Sequence, residues 1–318
     1  MSKGVLLMEC ARTGVAPATP AAASTPTRPA TPAALALLLL TCLMAAAVLA
    51  PASFAASALA AEATSPSETP QRIVSLAPSN TEILFNLGLG PSIVGVTTAC
   101  DYPAEASSID KIGDYNINVE AVVAKQPDLV VAVSDLQAQV IDKLRELGLN
   151  VVAVNPTTIP EVFDAIQTIG DATGRSAAAR ELVAELEARM AAVKERVAAT
   201  PESARPRVFV EIWNDPLMTA GHGTFVDDLV RAAGGINIFG SVSGWPQVSH
   251  ESVITARPNV VILTSYNRDE VMARSHWRTV PALVTGQVYE VLPDLLVRPG
   301  PRLIDGLELL AQLFSEAR

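Results

Sequence analysis

The longest helical pattern in the chain runs from Ser176 to Ala199. Apolar side chains recur there every three or four residues and charged side chains fill the remaining positions, which is typical of an amphipathic helix. The apolar positions are Leu182, Leu186, Met190, Val193 and Val197. Ser176 is predicted to cap the start of this helix, and Thr200–Pro201 to end it. Shorter patterns on either side form two similar halves, so we expect two α/β lobes joined by one long rigid helix.

Short apolar runs that indicate strands alternate with amphipathic segments that predict helices. Before the long helix, predicted strands cover 72–76, 92–96, 129–133 and 150–154, and predicted helices cover 80–87, 119–125 and 136–147. After it, predicted strands cover 207–212, 259–263 and 287–291, and predicted helices cover 224–232, 252–256 and 302–314. This alternation predicts short, mostly parallel sheets covered by helices on both faces, as in Rossmann-like lobes.

The patterns divide the chain into five parts. They are a leader and signal peptide (1–60), a tether (61–71), an N-terminal α/β lobe (72–171), a backbone helix (172–200) and a C-terminal α/β lobe (201–318). The uncharged stretch from Ala33 to Ala50, followed by small residues up to Ala60, predicts a secretory signal cleaved before Ala61. An uncleaved membrane anchor is the alternative, because about 18 apolar residues just suffice to cross a bilayer. A lipoprotein signal at Cys42 fits less well, since Thr41 precedes the cysteine.

Charge and cysteine content narrow the classes of partner. The net charge is −10, and beyond residue 60 the chain keeps 20 of its 23 basic and 32 of its 33 acidic side chains, a net charge near −12. Such an acidic surface argues against nucleic acid and anionic membranes and suits a basic protein partner. Only Cys100 would remain in the mature chain, so no internal disulfide is expected.

One internal sequence repeat relates residues 118–133 to residues 249–264. Each segment reads as a helix, a proline break and a strand, and Glu120 and Glu251 each precede their proline by seven residues. From the residues alone, the simpler interpretation is that each acid complements the dipole of its helix, with Asn118 and Ser249 as caps. Duplicated lobes would nevertheless present the two acids in equivalent positions.

No catalytic motif is found. The chain lacks a nucleophile elbow, a phosphate-binding P-loop and a C-x-x-C pair. Its three histidines are far apart in sequence and all lie in the second half, so no metal site or resident cofactor is expected. An exported enzyme that uses Asp101 and Asp294 as an acid/base pair is the competing class, but no nucleophile or metal supports it.

Aromatic residues in loops that follow strands are the main candidate ligand contacts. The chain is only 4% aromatic. Four of its aromatic residues follow predicted strands, where open α/β sheets form a binding crevice. They are Tyr102, Tyr115, Trp213 and Trp245. Together they suit a large, flat, partly apolar ligand, although each alone could cap its own lobe's core. Asp294 and Arg298 would bind amides or carboxylates, unless they form only a surface ion pair.

Four segments carry a resemblance to a known family. They are RIVSLAPSNTEILFNLGLG, the Asp101-Tyr102-Pro103 stretch, NVEAVVAKQPDLVVAV and WPQVSHESVITARP. They resemble the periplasmic substrate-binding proteins of ABC importers that carry cobalamin, haem and iron–siderophore complexes, and are most similar to the cobalamin-binding branch. The resemblance implies the class III fold with its helical backbone, a periplasmic or otherwise extracytoplasmic location, and no enzymatic activity.

The resemblance also implies roles for particular residues. Glu120 and Glu251 match the acids that dock onto arginines of a dimeric ABC permease, which is served by a cytoplasmic ATPase. Ligand contacts are implied at Tyr102, Trp245, Asp294 and Arg298, and in the first cleft loop at Pro78 and Ser79. Tyr115 and Trp213 from the loop argument, and Asp101 next to Tyr102, complete the predicted ligand site. The expected ligand is a corrinoid (cobalamin), carried by a monomeric protein. Tyr115 replaces an expected tryptophan, and Val133 and Leu295 replace aromatics, so a ferric siderophore or haem stays the alternative ligand.

Overall fold

The computed structural model describes residues 69–317. The predicted leader, the signal peptide and most of the tether lie outside this range. The described chain forms two four-stranded parallel sheets covered by helices, with one long helix between them in sequence. The predicted α/β fold, with two lobes and a long connecting helix, is therefore confirmed. The exact lobe boundaries at 72–171, 172–200 and 201–318 stay a prediction.

The N-terminal sheet has the strand order β2-β1-β3-β4, with every neighbouring pair parallel. Strand β3 is almost entirely buried, as its unbroken apolar run predicts. The elements in chain order are β1 (Ile73–Ser75), α1 (Pro78–Asn86), β2 (Ile93–Val96), α2 (Val119–Ala124), β3 (Leu129–Val133), α3 (Ser134–Glu146), β4 (Val151–Val154) and α4 (Ile159–Ala172).

Helix α4 is absent from the predicted elements. Its inner face buries Ile159, Val162, Phe163, Ile166 and Ile169, which recur at helical spacing. The helix packs closely against the next helix because Gly170 has no side chain. A Cβ at this position would lie 2.3 Å from the Cβ of Ala179. This contact joins the N-terminal lobe to the long helix.

Helix α5 (Ser176–Ala198) is the long backbone helix, about 34 Å from end to end at 1.5 Å per residue. Leu186 and Val193 are buried on its predicted apolar face. The predicted cap at Ser176 is wrong, because Arg175 occupies the N-cap position and makes no capping hydrogen bond through its side chain.

The C-terminal sheet has the order β8-β5-β9-β10 and is also parallel throughout. A short antiparallel hairpin, β6–β7, follows β5. The elements are β5 (Arg207–Glu211), β6 (Trp213–Asn214), β7 (Leu217–Met218), α6 (Phe225–Ala232), β8 (Ile236–Asn237), α7 (His250–Ala256), β9 (Val260–Leu263), α8 (Arg268–Ala273), α9 (Pro281–Thr285), β10 (Val288–Glu290) and α10 (Leu303–Glu316).

The two lobes share one hydrophobic core. A single cluster of buried residues includes Ile73 and Val131 of the first sheet, Val193 of α5, and Val208 and Ile262 of the second sheet. A wide hinge opening would separate these packed groups and expose apolar surface. We therefore expect the lobes to move only slightly against each other when ligand binds.

Ion pairs add to this connection along the backbone helix. Arg189 of α5 bonds to Asp305 at 2.6 Å and to Glu308 at 2.8 Å, both on α10. The hydrogen bonds from Arg189 lower the pKa of the Glu308 carboxyl, which extends this ion pair to lower pH.

Candidate functional site

The candidate site is a cleft of about 540 Å³ between the two lobes. In the first lobe its walls come from segments that follow β1, β2, β3 and β4. In the second they come from the start of α6, the segment before α7 and the segment after β10. The carboxyl ends of parallel strands meet at one edge of a sheet, so these segments converge where α/β folds usually bind ligands.

Six of the nine predicted ligand residues line this cleft, and the other three lie outside its lining. The six are Pro78, Ser79, Tyr115, Trp245, Asp294 and Arg298. Asp101 lies beside the cleft, where it pairs with Arg298. Tyr102 faces a neighbouring groove instead. Trp213 belongs to the β6–β7 hairpin, where its indole N–H donates to the Asp215 carbonyl.

Trp245 is held in place by both backbone and side-chain contacts. The segment around it exchanges backbone hydrogen bonds with the segment around Gly221, which donates to the Gly244 carbonyl at 2.8 Å. A Cβ on Gly221 would lie 1.9 Å from the Val242 carbonyl oxygen, so only glycine permits this approach. Phe225 packs against the indole edge-to-face with ring centroids 5.4 Å apart. The indole remains 40% exposed toward the cleft.

Tyr115 faces the cleft from the opposite lobe. It sits in a tight turn in which Asn116 N–H donates to the Asp114 carboxylate at 2.8 Å. Its side chain is 95% exposed, so the ring is free to cover a ligand. Tyr115 and Trp245 thus present one aromatic side chain from each lobe, five and six residues ahead of the equivalent acids Glu120 and Glu251.

A buried acid joins the lobes at the edge of the cleft. Glu82 of α1 is 1% exposed and accepts hydrogen bonds from Arg298 at 3.0 Å and from Arg302 at 2.6 Å. Asp101 and Asp294 also bind Arg298, each at 2.9 Å. This network therefore contains two guanidinium cations and three carboxylates, and its formal charge is −1.

Burial alone would lower the pKa of the Arg302 guanidinium. Hydrogen bonds and the charge of Glu82 outweigh burial, so the pKa of Arg302 is raised, and the same balance raises the pKa of Arg298. Arg302 also lies over the ring of Tyr102, with the guanidinium carbon 3.8 Å from the ring centroid. One face of the tyrosine is thereby covered by the protein itself.

The helices that carry Glu120 and Glu251 are equivalent in detail. Asn118 caps α2 and Ser249 caps α7, each through a side-chain oxygen that accepts a backbone N–H. Both acids are exposed in the first turn of their helix. Its own backbone N–H and the Ser249 hydroxyl lower the pKa of the Glu251 carboxyl and so favour its charged form.

The equivalence continues to the strand that follows each helix. Gln126 and Arg257 both take the left-handed backbone conformation, with φ of 48° and 49°, just before the proline. Arg72 and Arg207 then donate through their guanidinium Nε to carbonyls at the end of α2 and α7. The two four-stranded sheets also have the same strand order, so the internal sequence repeat corresponds to a duplicated lobe.

The sequence profile of the periplasmic binding proteins matches residues 73–295, which include both sheets and most of the cleft lining. The chain belongs to this family. The resemblance inferred from the sequence is therefore confirmed, and this periplasmic binding protein belongs to a class that acts outside the cytoplasmic membrane with ABC importers. Members of the class bind transported ligands and are not enzymes. Within residues 69–317, no helix has both the length and the apolar character needed to span a bilayer.

Two sequence relatives of this periplasmic binding protein differ in how far they are characterised. An uncharacterized ABC transporter substrate-binding lipoprotein of Bacillus subtilis, YvrC, is 36% identical over 249 residues, which cover 76% of this chain and 79% of that protein. A cobalamin-binding protein of Halobacterium salinarum is 34% identical over 260 residues, which cover 77% of this chain and 69% of that protein.

Two solved structures share the architecture but differ in ligand. The periplasmic vitamin B12 binding protein BtuF of Vibrio cholerae has a TM-score of 0.70 and 27% identity, covering 78% of this chain and 98% of its own. The periplasmic heme-binding protein RhuT of Roseiflexus sp. RS-1 has the same TM-score, identity and coverage. Both support the class III fold, and neither distinguishes the ligand of this chain.

The remaining candidate groups lie outside the cleft lining. Cys100 is 1% exposed and contacts the hydroxyls of Thr81 and Thr97. His250 and His276 contact each other in the C-terminal lobe, with ring centroids 4.6 Å apart. Among the described residues, no group of three or more potential ligands is placed to hold a metal ion.

Several residues of the site were not found from the sequence. They are Glu82, Arg302, Asp135, Asn155 and Phe225. The partners of Glu82 are more than 200 residues away in sequence, so no local pattern indicates the contact.

Proposed function

We propose that this periplasmic binding protein captures a corrinoid in the inter-lobe cleft and delivers it to an ABC permease. The observation that supports this ligand most directly is the combination of two aromatic side chains from opposite lobes, Tyr115 and Trp245, with polar groups of mainly negative charge. A corrinoid offers a flat macrocycle surrounded by primary amides. Aromatic faces suit the macrocycle, and paired donors and acceptors suit the amides.

The charge of the cleft favours a corrinoid over haem. Among the charged residues that line it, Asp135 and Asp294 oppose a single cation, Arg298. Arg298 already binds three carboxylates, so it offers little net positive charge to a ligand. Haem and many ferric chelates carry carboxylates or other anionic groups that such a cleft would repel, whereas amides are neutral.

Trp245 is the expected aromatic anchor. Replacing Trp245 by Ala should weaken corrinoid binding by about 2 kcal/mol, or roughly 30-fold in Kd, because a fixed, centrally placed aromatic contact would be lost. Titration calorimetry would measure the change. Tyr266→Ala is the matched control, since Tyr266 is an exposed aromatic in the same lobe but outside the cleft lining. Equal affinity of the Trp245 variant and the parent would remove Trp245 from the site.

The direct test is calorimetric titration of the chain from Ala61 onward with cyanocobalamin, haemin and a ferric hydroxamate in parallel. Tight one-to-one binding of cyanocobalamin, with weak or undetectable binding of the other two, is the expected result. Tight binding of an iron compound without binding of cyanocobalamin would contradict the corrinoid assignment and leave the family assignment intact.

A ferric siderophore or haem is the second candidate, and one residue favours it. Among the described residues that line the cleft, Tyr115 is the only tyrosine and no histidine is present. A phenolate is a suitable oxygen ligand for iron, so Tyr115→Phe should abolish binding of haemin if this alternative holds. If a corrinoid is the ligand, the same change should cost little, because the ring face is retained. Absorbance spectra of the loaded protein would distinguish the two results.

A further inference from the structure

Asp135 and Asn155 form a hydrogen-bonded polar pair in the cleft. Strands β3 and β4 are parallel neighbours, with Val133 and Val154 in register at their carboxyl ends. Asp135 follows β3 by two residues and Asn155 follows β4 by one, so the strand pairing places both side chains at the same edge. The Asn155 side-chain amide donates to an Asp135 carboxylate oxygen at 2.6 Å, and both residues line the cleft.

The backbone around Asp135 is fixed by Gln137. Gln137 has non-helical dihedral angles, φ −126° and ψ 18°, and so forms a kink in helix α3. Asp135 lies before this kink, in a short turn that is separate from the rest of the helix. The Gln137 side chain accepts a hydrogen bond from the Val133 N–H at 2.8 Å and donates to the Leu76 carbonyl at 2.6 Å. This clamp joins the ends of β1 and β3, so Asp135 is presented by a preorganised segment.

We propose that Asp135 and Asn155 bind a primary amide on the periphery of the ligand and select it over a carboxylate. The assignment rests on the proposed corrinoid function and names the chemical group that this part of the cleft recognises. A primary amide brings two N–H donors and one carbonyl acceptor. Asp135 supplies acceptor oxygens, and Asn155 supplies a second N–H donor beside them, so the amide can bond to both.

A carboxylate in the same place would be disfavoured. It has no N–H to donate to Asp135, and its negative charge would lie beside that of Asp135. The other lobe offers a similar combination at the opposite side of the cleft, where the acceptor Asp294 stands beside the donor Arg298. Two acceptor–donor pairs on facing walls suit a ring that carries neutral amides around its edge.

The experiment compares Asp135→Asn with the parent protein and with Asp142→Asn. Asp142 is exposed on the same helix but outside the cleft lining, so it makes a matched control for the same chemical change. Each protein is titrated at pH 7 with cyanocobalamin and with the isomeric monocarboxylic acids obtained by hydrolysing one of its propionamide side chains. The readout is the ratio of the Kd for each acid to the Kd for cyanocobalamin.

We expect the parent and Asp142→Asn to prefer the amide form strongly for at least one isomer. Asp135→Asn should weaken cyanocobalamin binding about fivefold, because a neutral acceptor replaces an ionised one, and should reduce that preference about tenfold or more, because the repelling charge is removed. Asn155→Ala should weaken cyanocobalamin binding and leave the preference largely in place, since Asp135 remains.

Two failures are distinguishable. In the first, the parent binds cyanocobalamin but Asp135→Asn has the same acid-to-amide ratios of Kd as the parent. Asp135 and Asn155 then do not select the amide, and this assignment is overturned while the corrinoid function stands. If the parent binds none of the corrinoids, the proposed function itself is wrong and the amide assignment falls with it. Because asparagine also suits the first turn of a helix, Asp135→Asn is expected to fold, and a thermal melt of each variant checks this.

Discussion

Replacing both Glu120 and Glu251 by lysine is expected to abolish ligand uptake and to leave ligand affinity unchanged. The two acids are exposed, occupy the same position in equivalent helices, and lie outside the cleft lining. A two-fold symmetric permease that offers one basic site per lobe would lose both attractive pairs. Reversing the charges would then place like charges against each other at both sites, which typically costs several kcal/mol.

Two measurements separate docking from capture. Uptake of labelled cyanocobalamin would be followed in cells that lack their own binding protein, and affinity would be measured by calorimetry on the purified variant. Glu181→Lys with Glu185→Lys is the matched control, since it makes the same change of charge at two exposed positions on helix α5. We expect the control to transport normally. Normal uptake by the Glu120→Lys/Glu251→Lys variant would show that these acids do not dock the protein.

The duplicated arrangement explains why the equivalence of these two acids could be predicted from the sequence. The pattern that identifies them is local, because an acid, a proline and a buried strand follow one another within 16 residues in each lobe. The strand predicted at 129–133 is reproduced without error for the same reason: a continuous apolar run of that length is typical of a buried parallel strand. The fold therefore follows largely from short-range periodicity.

Helix α4 shows that an available signal can be overlooked. No element is predicted between Val154 and Ser176, although Thr158 is a good cap, Pro160 favours a first helical turn and the apolar residues recur at helical spacing. The structure shows Thr158 accepting a hydrogen bond from Glu161, as such a cap should. Helix α4 links the first lobe to the backbone helix, so it contributes to the contacts that limit lobe motion.

The site was less predictable than the fold because its contacts are not local. Asp294 and Arg298 are four residues apart and were predicted as a pair, which the structure contains at 2.9 Å. Their further partner Glu82 comes from the other lobe, and the pairing of Asp135 with Asn155 depends on two strands being neighbours. Periodicity identifies the inward face of a strand or helix, but it does not identify which loops meet across a cleft.

Glu82→Gln is expected to destabilise the protein by about 3 kcal/mol or more. Glu82 is 1% exposed and receives hydrogen bonds from both Arg298 and Arg302. The amide is nearly isosteric, but it removes the most deeply buried of the three carboxylates, leaves Asp101 and Asp294 as the remaining acids beside two largely buried guanidinium groups, and turns an N–H₂ donor toward them. Breaking a buried ion pair by removing one partner typically costs about 3–5 kcal/mol. Urea unfolding would measure the loss, and Glu185→Gln, at an exposed position, should stay within about 0.5 kcal/mol of the parent.

A double-variant cycle tests the physical reason for this loss. Arg302→Met keeps much of the side-chain volume over Tyr102 and removes one of the two cations that Glu82 serves. If loss of the buried Glu82 carboxylate as a partner of Arg302 causes the destabilisation, Glu82→Gln/Arg302→Met should lose clearly less stability than the sum of the two single variants. Additive losses would mean that the three side chains stabilise the inter-lobe contact through packing alone. Subadditive losses would identify Glu82 as the charge that allows two arginines from the second lobe to be buried against the first, at the edge of the ligand cleft.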